Sequence, residues 1–316
     1  MKLPLVLAAV ALLPVTFHAQ ALAQIQLDDA LKLGEQWVRA NVDPKVLESL
    51  PQLDEKQAVQ LLLQFQQQFQ GEYVLDVVRL KQVANLALPF IERDEALKPY
   101  APWLRSRMDY FEVASQLSLV VPPPPKPAPP KPGVAPAPTP APVRANPTPQ
   151  QQRQVWANVV ATEPWPASAN QYVPQLKPIF LSEQVPAELV WVAEVESSFD
   201  PKAKSPAGAV GLYQLMPDTA KREGLSLAPR DQRLDPAQSA RASARYLHTL
   251  HGEFKDWPLT LAAYNVGEGR VRTLMTKYKA KSFDGIAPHL PAETQMYVPK
   301  IGAVIQRREG KSLAKL

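Results

Sequence analysis

Residues 186–201 read PAELVWVAEVESSFDP. Pro186 stands where a missing N–H costs a helix least, in its first turn. The run from Leu189 to Val195 is apolar except for Glu194, and a helix that is apolar nearly all round belongs inside a core. The stretch therefore predicts a buried central helix with a carboxyl group, Glu196, at its C-terminal end. In a helix Glu196 shares a face with Leu189, Val192 and Ala193. Burial among such neighbours penalises the charged form of a carboxyl group, and the negative end of the helix dipole pushes the same way. A general acid that works near neutral pH needs that environment. Glu194, flanked one turn back by Val190 and Trp191, qualifies on the same grounds, and periodicity does not separate the two. Either glutamate could instead form a structural ion pair with a lysine or arginine.

Around this stretch, residues 151–316 read as mainly helical. Asp235-Pro236 opens a helix that runs to Leu250, the aspartate capping and the proline filling the first turn. Leu259 to Tyr264 predicts another, stopped by Gly267 and Gly269. No alternating strand pattern of useful length occurs. Residues 24–118 also read as helices: 27–40 with Asp28 or Asp29 as cap, 56–70 with Asp54 as cap, 74–91, and 104–117. Pro99 and Pro102 break the chain before the last of these. The expected fold class is mainly α.

Half of residues 122–149 are proline. Such a stretch has little to bury and few backbone donors, which predicts extended polyproline II. At about 3.1 Å per residue it would reach on the order of 80 Å, as a spacer that lets one module work at a distance from the other. Lys2 followed by an apolar run to Phe17, then Ala21-Leu22-Ala23, reads as an export signal with a small-x-small cleavage site. The run is too short, and too broken by Pro4 and Pro14, for a good membrane span. The expected layout is a signal peptide at 1–23, a helical accessory module at 24–118, a Pro-rich linker at 119–150 and a catalytic domain at 151–316.

The chain has no cysteine, which excludes disulfides, thiolate catalysis, cysteine metal sites and a lipid-anchored cysteine. The mature chain is therefore expected to be soluble in the periplasm and not an integral membrane protein. Net charge is +5, but unevenly spread: residues 24–121 carry 10 Lys/Arg against 14 Asp/Glu, and residues 151–316 carry 21 against 16. A basic C-terminal half suits an anionic polymer; the export signal argues against nucleic acid.

Four segments carry the chemistry: Glu196-Ser197-Ser198-Phe199-Asp200-Pro201, then 208–217 (GAVGLYQLMP), then Ala262-Ala263-Tyr264-Asn265-Val266-Gly267, then Glu293-Thr294-Gln295-Met296-Tyr297-Val298. In this order and with these gaps they resemble the soluble lytic transglycosylase domain, a lysozyme-like α-helical family, and most of all its membrane-bound transglycosylase D branch. The resemblance covers roughly residues 170 to 303. It implies a lyase that cleaves the MurNAc-β-1,4-GlcNAc bond of peptidoglycan without water and leaves 1,6-anhydroMurNAc ends.

Within that resemblance Glu196, directly before a serine, matches the catalytic glutamate, acid first and then base. Ser205 matches a serine that hydrogen-bonds near the acid, and Gln214 and Met216 match sugar-contacting cleft positions. Tyr264 and Asn265 match a pair whose phenol points at the acid, and Glu293 and Tyr297 match a motif near the far side of the cleft, where Glu293 is expected to brace the site. Tyr213 departs from the family's usual bulky residue and is expected to tune the cleft. A hydrolase of this kind usually needs a second carboxylate; Asp200, before Pro201, reads better as a turn residue. No cofactor is implied. His248 and His251 share a helix without a third ligand at useful spacing, so no metal site is expected. The partner expected is the glycan strand itself, with a cell-wall or envelope-complex protein as a possible second partner through residues 24–118. The rival readings are a hydrolytic muramidase resembling goose-type lysozyme and a catalytically silent peptidoglycan-binding protein.

Overall fold

A computed structural model describes residues 55–121 and 145–316. The export-signal reading, the helix at 27–40, its caps, Asp54 and most of the proline-rich stretch lie outside these residues. The described residues are mainly α, as the sequence predicts, with no named strand and two isolated β-bridges, Lys204 with Val210 and Val210 with Leu215. No helix among them is long and apolar enough to cross a membrane.

The N-terminal part folds as α1 (Glu55–Gln67), α2 (Leu80–Arg93), the short α3 (Ala101–Arg105) and α4 (Met108–Val120), with 3-10 turns at Gln68–Gln70 and Val74–Arg79. The helix expected over 74–91 therefore begins as a 3-10 turn, in which Val74 and Val77 are buried. Ala58, Leu62, Phe65 and Phe69 recur at helical spacing and are all buried. Phe65 meets Phe69, Trp103 and Phe111 edge-on at 5.8, 6.5 and 6.2 Å between ring centres. Pro102 does not break the chain but sits in the first turn of α3, where proline is tolerated.

The C-terminal part comprises α5 (Pro149–Thr162), α6 (Ala169–Ser182), α7 (Val192–Ser197), α8 (Pro217–Arg222), α9 (Pro236–Phe254), α10 (Trp257–Val266), α11 (Glu268–Tyr278), α12 (Phe283–Ile286) and α13 (Ala292–Glu309). Asp235 caps its helix as the sequence predicts, and further caps fix other helix starts. The Asp235 carboxylate accepts from the Gln238 N–H, and Asp256 accepts from Leu259. Thr148 and Gln151 form a reciprocal capping box that fixes the start of α5. Gly267 ends α10 at φ +92°, whereas Gly269 lies in the first turn of α11 and is no stop. The predicted central helix is divided, a 3-10 turn at Ala187–Trp191 followed by α7. The residues from Glu188 to Ser197 are buried throughout.

The long helix α13 is largely enclosed, and on it even Glu293, Thr294, Gln295 and Lys300 are buried. It packs against α5, α7 and α10 and against the 3-10 turns of the N-terminal part. The two parts share one continuous apolar core: Tyr110 of α4 meets Trp156 of α5 edge-on at 5.2 Å. Backbone bonds cross the junction, from the Lys204 N–H to the Pro99 carbonyl (2.8 Å) and from the Ala292 N–H to the Gly71 carbonyl (2.7 Å). The expected distance between modules is therefore not found among the described residues. Val121, just before the proline-rich stretch, is buried, and Asn146, near its end, accepts a hydrogen bond from the Val74 N–H at 2.9 Å. Both flanks of the stretch are fixed in the same body. The apolar faces of α1 to α4 need a partner to cover them, and the C-terminal part supplies it.

Candidate active site

Glu196 is placed by a sharp reversal of the chain. After the last turn of α7, Ser198 and Phe199 both adopt left-handed backbone angles, φ +53° and +59°, which residues with a side chain reach only at a cost. Two anchors hold the turn. The Ser197 hydroxyl donates to the Leu212 carbonyl (2.8 Å), and the buried Phe199 ring packs edge-on to Trp191 at 5.7 Å and parallel to Tyr172 at 6.5 Å. An open cavity of about 320 Å³ adjoins this turn, lined among others by Arg105, Tyr172, Ser198, Phe199 and Asp200.

The Glu196 side chain is 6% exposed, and its Oε1 accepts a 2.6 Å hydrogen bond from the Tyr297 hydroxyl. Burial pushes its pKa up from 4.5 to about 7, against the Tyr297 hydrogen bond and the positive charge of Arg107, which favour the ionised form; the charge of Glu293 adds to the rise and that of Lys300 opposes it. Desolvation is the larger effect, so at neutral pH the group sits between its two states. A carboxyl so poised can both give and take a proton. Glu194, the rival by periodicity, is bound by Arg308, with Nη2 at 2.8 Å and Nε at 3.2 Å from its oxygens. It is the structural ion pair of the two.

Glu293 receives Arg107 Nη2 at 2.6 Å and Nε at 3.1 Å on one oxygen, and Gln70 Nε2 at 3.3 Å on the other. It braces α13 against the N-terminal part. Asn265 Oδ1 accepts from the Thr294 hydroxyl at 2.6 Å and ties α10 to α13. The Tyr264 phenol lies near enough to Glu196 to feel its charge but is not hydrogen-bonded to it: it donates to the Tyr213 carbonyl (2.7 Å) and meets the Ser243 hydroxyl at 3.1 Å. The phenol hydrogen-bonded to Glu196 belongs to Tyr297, one motif further on, carried by α13. Ser205 closes the 205–209 turn, its Oγ accepting from the Ala209 N–H at 3.0 Å. Gln214, at φ +45°, donates to the carbonyls of Ala203 (3.1 Å) and Gly211 (2.9 Å), so its amide shapes the loop. Met216 is 42% exposed, open to a ligand. Tyr213 is fully buried with its hydroxyl on the Val190 carbonyl; it packs the core and lines no cleft.

Sequence reasoning placed Tyr297 near the cleft but not on Glu196, and did not connect Arg107 or Lys300 to the acid. The signal that could have found them is a polar stripe on α13. Glu293, Tyr297 and Lys300 are spaced by four and three residues and so share one face of a helix. Lys300, 3% exposed, bonds Asp109 Oδ2 at 2.6 Å and the Ser106 carbonyl at 2.8 Å. Among the described residues no three His, Asp or Glu side chains converge as a metal site would require; His251 lies flat on Trp257 at 3.9 Å.

Residues 182–286 match the family described as Transglycosylase SLT domain. Membrane-bound lytic murein transglycosylase D of Escherichia coli (strain K12) is 44% identical over 124 residues, 38% of this chain and 27% of that protein. The soluble lytic murein transglycosylase of Salmonella typhimurium is 35% identical over 119 residues, 35% of this chain and 18% of that one. A putative tributyltin chloride resistance protein of Alteromonas sp. is 35% identical over 118 residues, 37% of this chain and 57% of that one. The chain thus spans about a quarter of the length of the first of these relatives. Among solved structures, the lytic transglycosylase Slt of Pseudomonas aeruginosa aligns with 98% of this chain and 50% of its own, at 20% identity and a TM-score of 0.41. Residues 182–286, which hold Glu196, its turn and the Tyr264-Asn265 motif, thus carry a Transglycosylase SLT domain.

Proposed function

We propose that this protein is a peptidoglycan lytic transglycosylase that cleaves the MurNAc-β-1,4-GlcNAc bond without water, with Glu196 as its acid and then its base. The observation that carries this reading is the buried Glu196 carboxyl, which accepts a hydrogen bond from the Tyr297 hydroxyl and whose pKa burial raises to about 7. Protonated Glu196 gives its proton to the glycosidic oxygen, the C1–O bond breaks, and the GlcNAc side departs with a free 4-hydroxyl. The N-acetyl oxygen of MurNAc stabilises the cation at C1. Glu196, now a carboxylate, takes the proton of the C6 hydroxyl as O6 bonds to C1, so the acid is restored and the product is the 1,6-anhydro ring. An internal hydroxyl already held next to C1 has a very high effective concentration, and water is not needed.

A hydrolase of this kind usually needs a second carboxylate to direct water or form an adduct. Glu293 is engaged by Arg107 and Gln70, and Glu194 by Arg308, which favours the anhydro route. On this reading the substrate is the glycan strand, and the export-signal reading of residues 1–23 places the work in the periplasm. The test is mass spectrometry of fragments released from purified sacculi in 18O-labelled water. Anhydro ends free of label, lost in Glu196→Gln, are expected. Labelled reducing ends would replace the proposal with a muramidase, and no release at all with a binding protein.

A further inference from the structure

The polar stripe of α13 is gripped at both ends by the N-terminal part. Arg107, 8% exposed, forms its ion pair with Glu293, and one turn later Tyr297 meets Glu196. A turn further on, Lys300 is held by Asp109 and the Ser106 carbonyl, with its ammonium 4.8 Å from the centre of the Tyr110 ring. The residues that do the gripping, Ser106, Arg107 and Asp109, are consecutive but for one position, at the junction of α3 and α4. Arg107 is further oriented by the Trp103 carbonyl (3.1 Å) and the Ser106 hydroxyl (3.2 Å). This segment lies outside the matched residues 182–286.

We infer that the junction of α3 and α4 is a built-in half of the catalytic centre, in which Arg107, paired with Glu293, is the positioning residue that seats Tyr297 on Glu196 and sets the charge the acid faces. The inference deepens the proposed function and rests on it for the role of Glu196.

The charged and titratable groups facing Glu196 come from three directions: Glu293, Tyr297 and Lys300 from α13, Arg107 and Tyr110 from the α3–α4 junction, and Tyr264 from α10. Arg107 favours the carboxylate form of Glu196 and Glu293 disfavours it. Removing Arg107 takes away a cation and also leaves Glu293 unneutralised, so both changes raise the Glu196 pKa. Removing the Glu293 charge leaves Arg107 unopposed, and the pKa falls. A purely structural role predicts a different pattern. Loosening the junction would admit water in either variant and lower the pKa in both.

The experiment is a 13C carboxyl NMR titration of the intact protein, with Glu196 assigned by its loss in Glu196→Gln, run beside the pH profile of anhydro-end release. Arg107→Met is expected to raise the Glu196 pKa and move the alkaline limb of activity up, and Glu293→Gln to move both down, each by at least about half a pH unit. Arg107→Lys keeps the charge and is expected to leave the Glu196 pKa near its wild-type value. Shifts of the same sign in Arg107→Met and Glu293→Gln, or no shift in either, overturn the inference. Should Arg107→Met not fold, Glu293→Gln with Arg107→Lys decides it: the first must lower the pKa and the second must not. A wild-type protein that releases no anhydro ends would sink the proposed function instead, and the NMR titration would still report on Arg107.

Discussion

At the residue scale the proposed chemistry turns on one proton shared between Glu196 and its surroundings. The Tyr297 hydroxyl donates to Glu196 and so favours the carboxylate that forms when the acid gives up its proton. Tyr297→Phe is expected to slow glycan cleavage roughly tenfold, the worth of a hydrogen bond to a charged group, and to move the alkaline limb of the pH profile upward from about 7. Steady-state rates on sacculi across pH check both. Burial of the acid also has a cost in stability. The folded pKa of about 7 lies above the usual 4.5, so the group's stabilising contribution is full below 4.5 and is lost as pH rises through 7. The difference is at most roughly 3 kcal/mol. Glu196→Gln should therefore be more stable than wild type by about 1–3 kcal/mol at pH 8.5, with no gain at pH 4.5, as urea unfolding at the two pH values would show. Glu163, raised by burial to about 7 as well, loses its proton in the same window, and its share of the slope persists in the variant.

At the element scale the site depends on turns more than on helices. Helix α7 is only six residues long; it is held by the turn after it and by the loop over residues 203–216. That loop is organised around Gly211 and Arg233. Arg233 Nη1 donates to the Gly208 and Leu215 carbonyls, both at 2.9 Å. Gly211, at φ +85°, passes so close that a β-carbon would lie 2.0 Å from the Arg233 carbonyl oxygen. Gly211→Ala is thus both strained and obstructed by backbone, and is expected to cost about 3 kcal/mol or more in a denaturant titration. A loss under about 1 kcal/mol would mean that the loop gives way easily.

At the scale of the whole molecule, the helices before the proline-rich stretch and those after it form one core, joined by Tyr110 on Trp156, by Arg107 on Glu293 and by Lys300 on Asp109. A shared core of this kind unfolds as a unit. Calorimetry of the full chain is expected to show one transition for the described residues. Phe111→Ala, which empties a fully buried site in the N-terminal part, should lower that transition as a whole by an amount equivalent to about 3–5 kcal/mol. A separate early transition, with the rest unmoved, would show that the two parts are independent.

Much of this was legible in the chain. Apolar periodicity marked the helices, Asp235-Pro236 and Gly267 marked ends that depend on neighbours in sequence, and the apolar run before Glu196 announced a buried acid. These features are local, set by residues within a turn or two of each other, and a sequence displays them directly. Tertiary structure alone decided between Glu194 and Glu196 on physical grounds, by giving Arg308 to one and Tyr297 to the other. It alone gave the hydrogen bond on Glu196 to Tyr297 and brought Arg107 across 186 positions to Glu293. Such pairings depend on which helix faces meet, and that is fixed by the three-dimensional closure of the core rather than by any spacing along the chain.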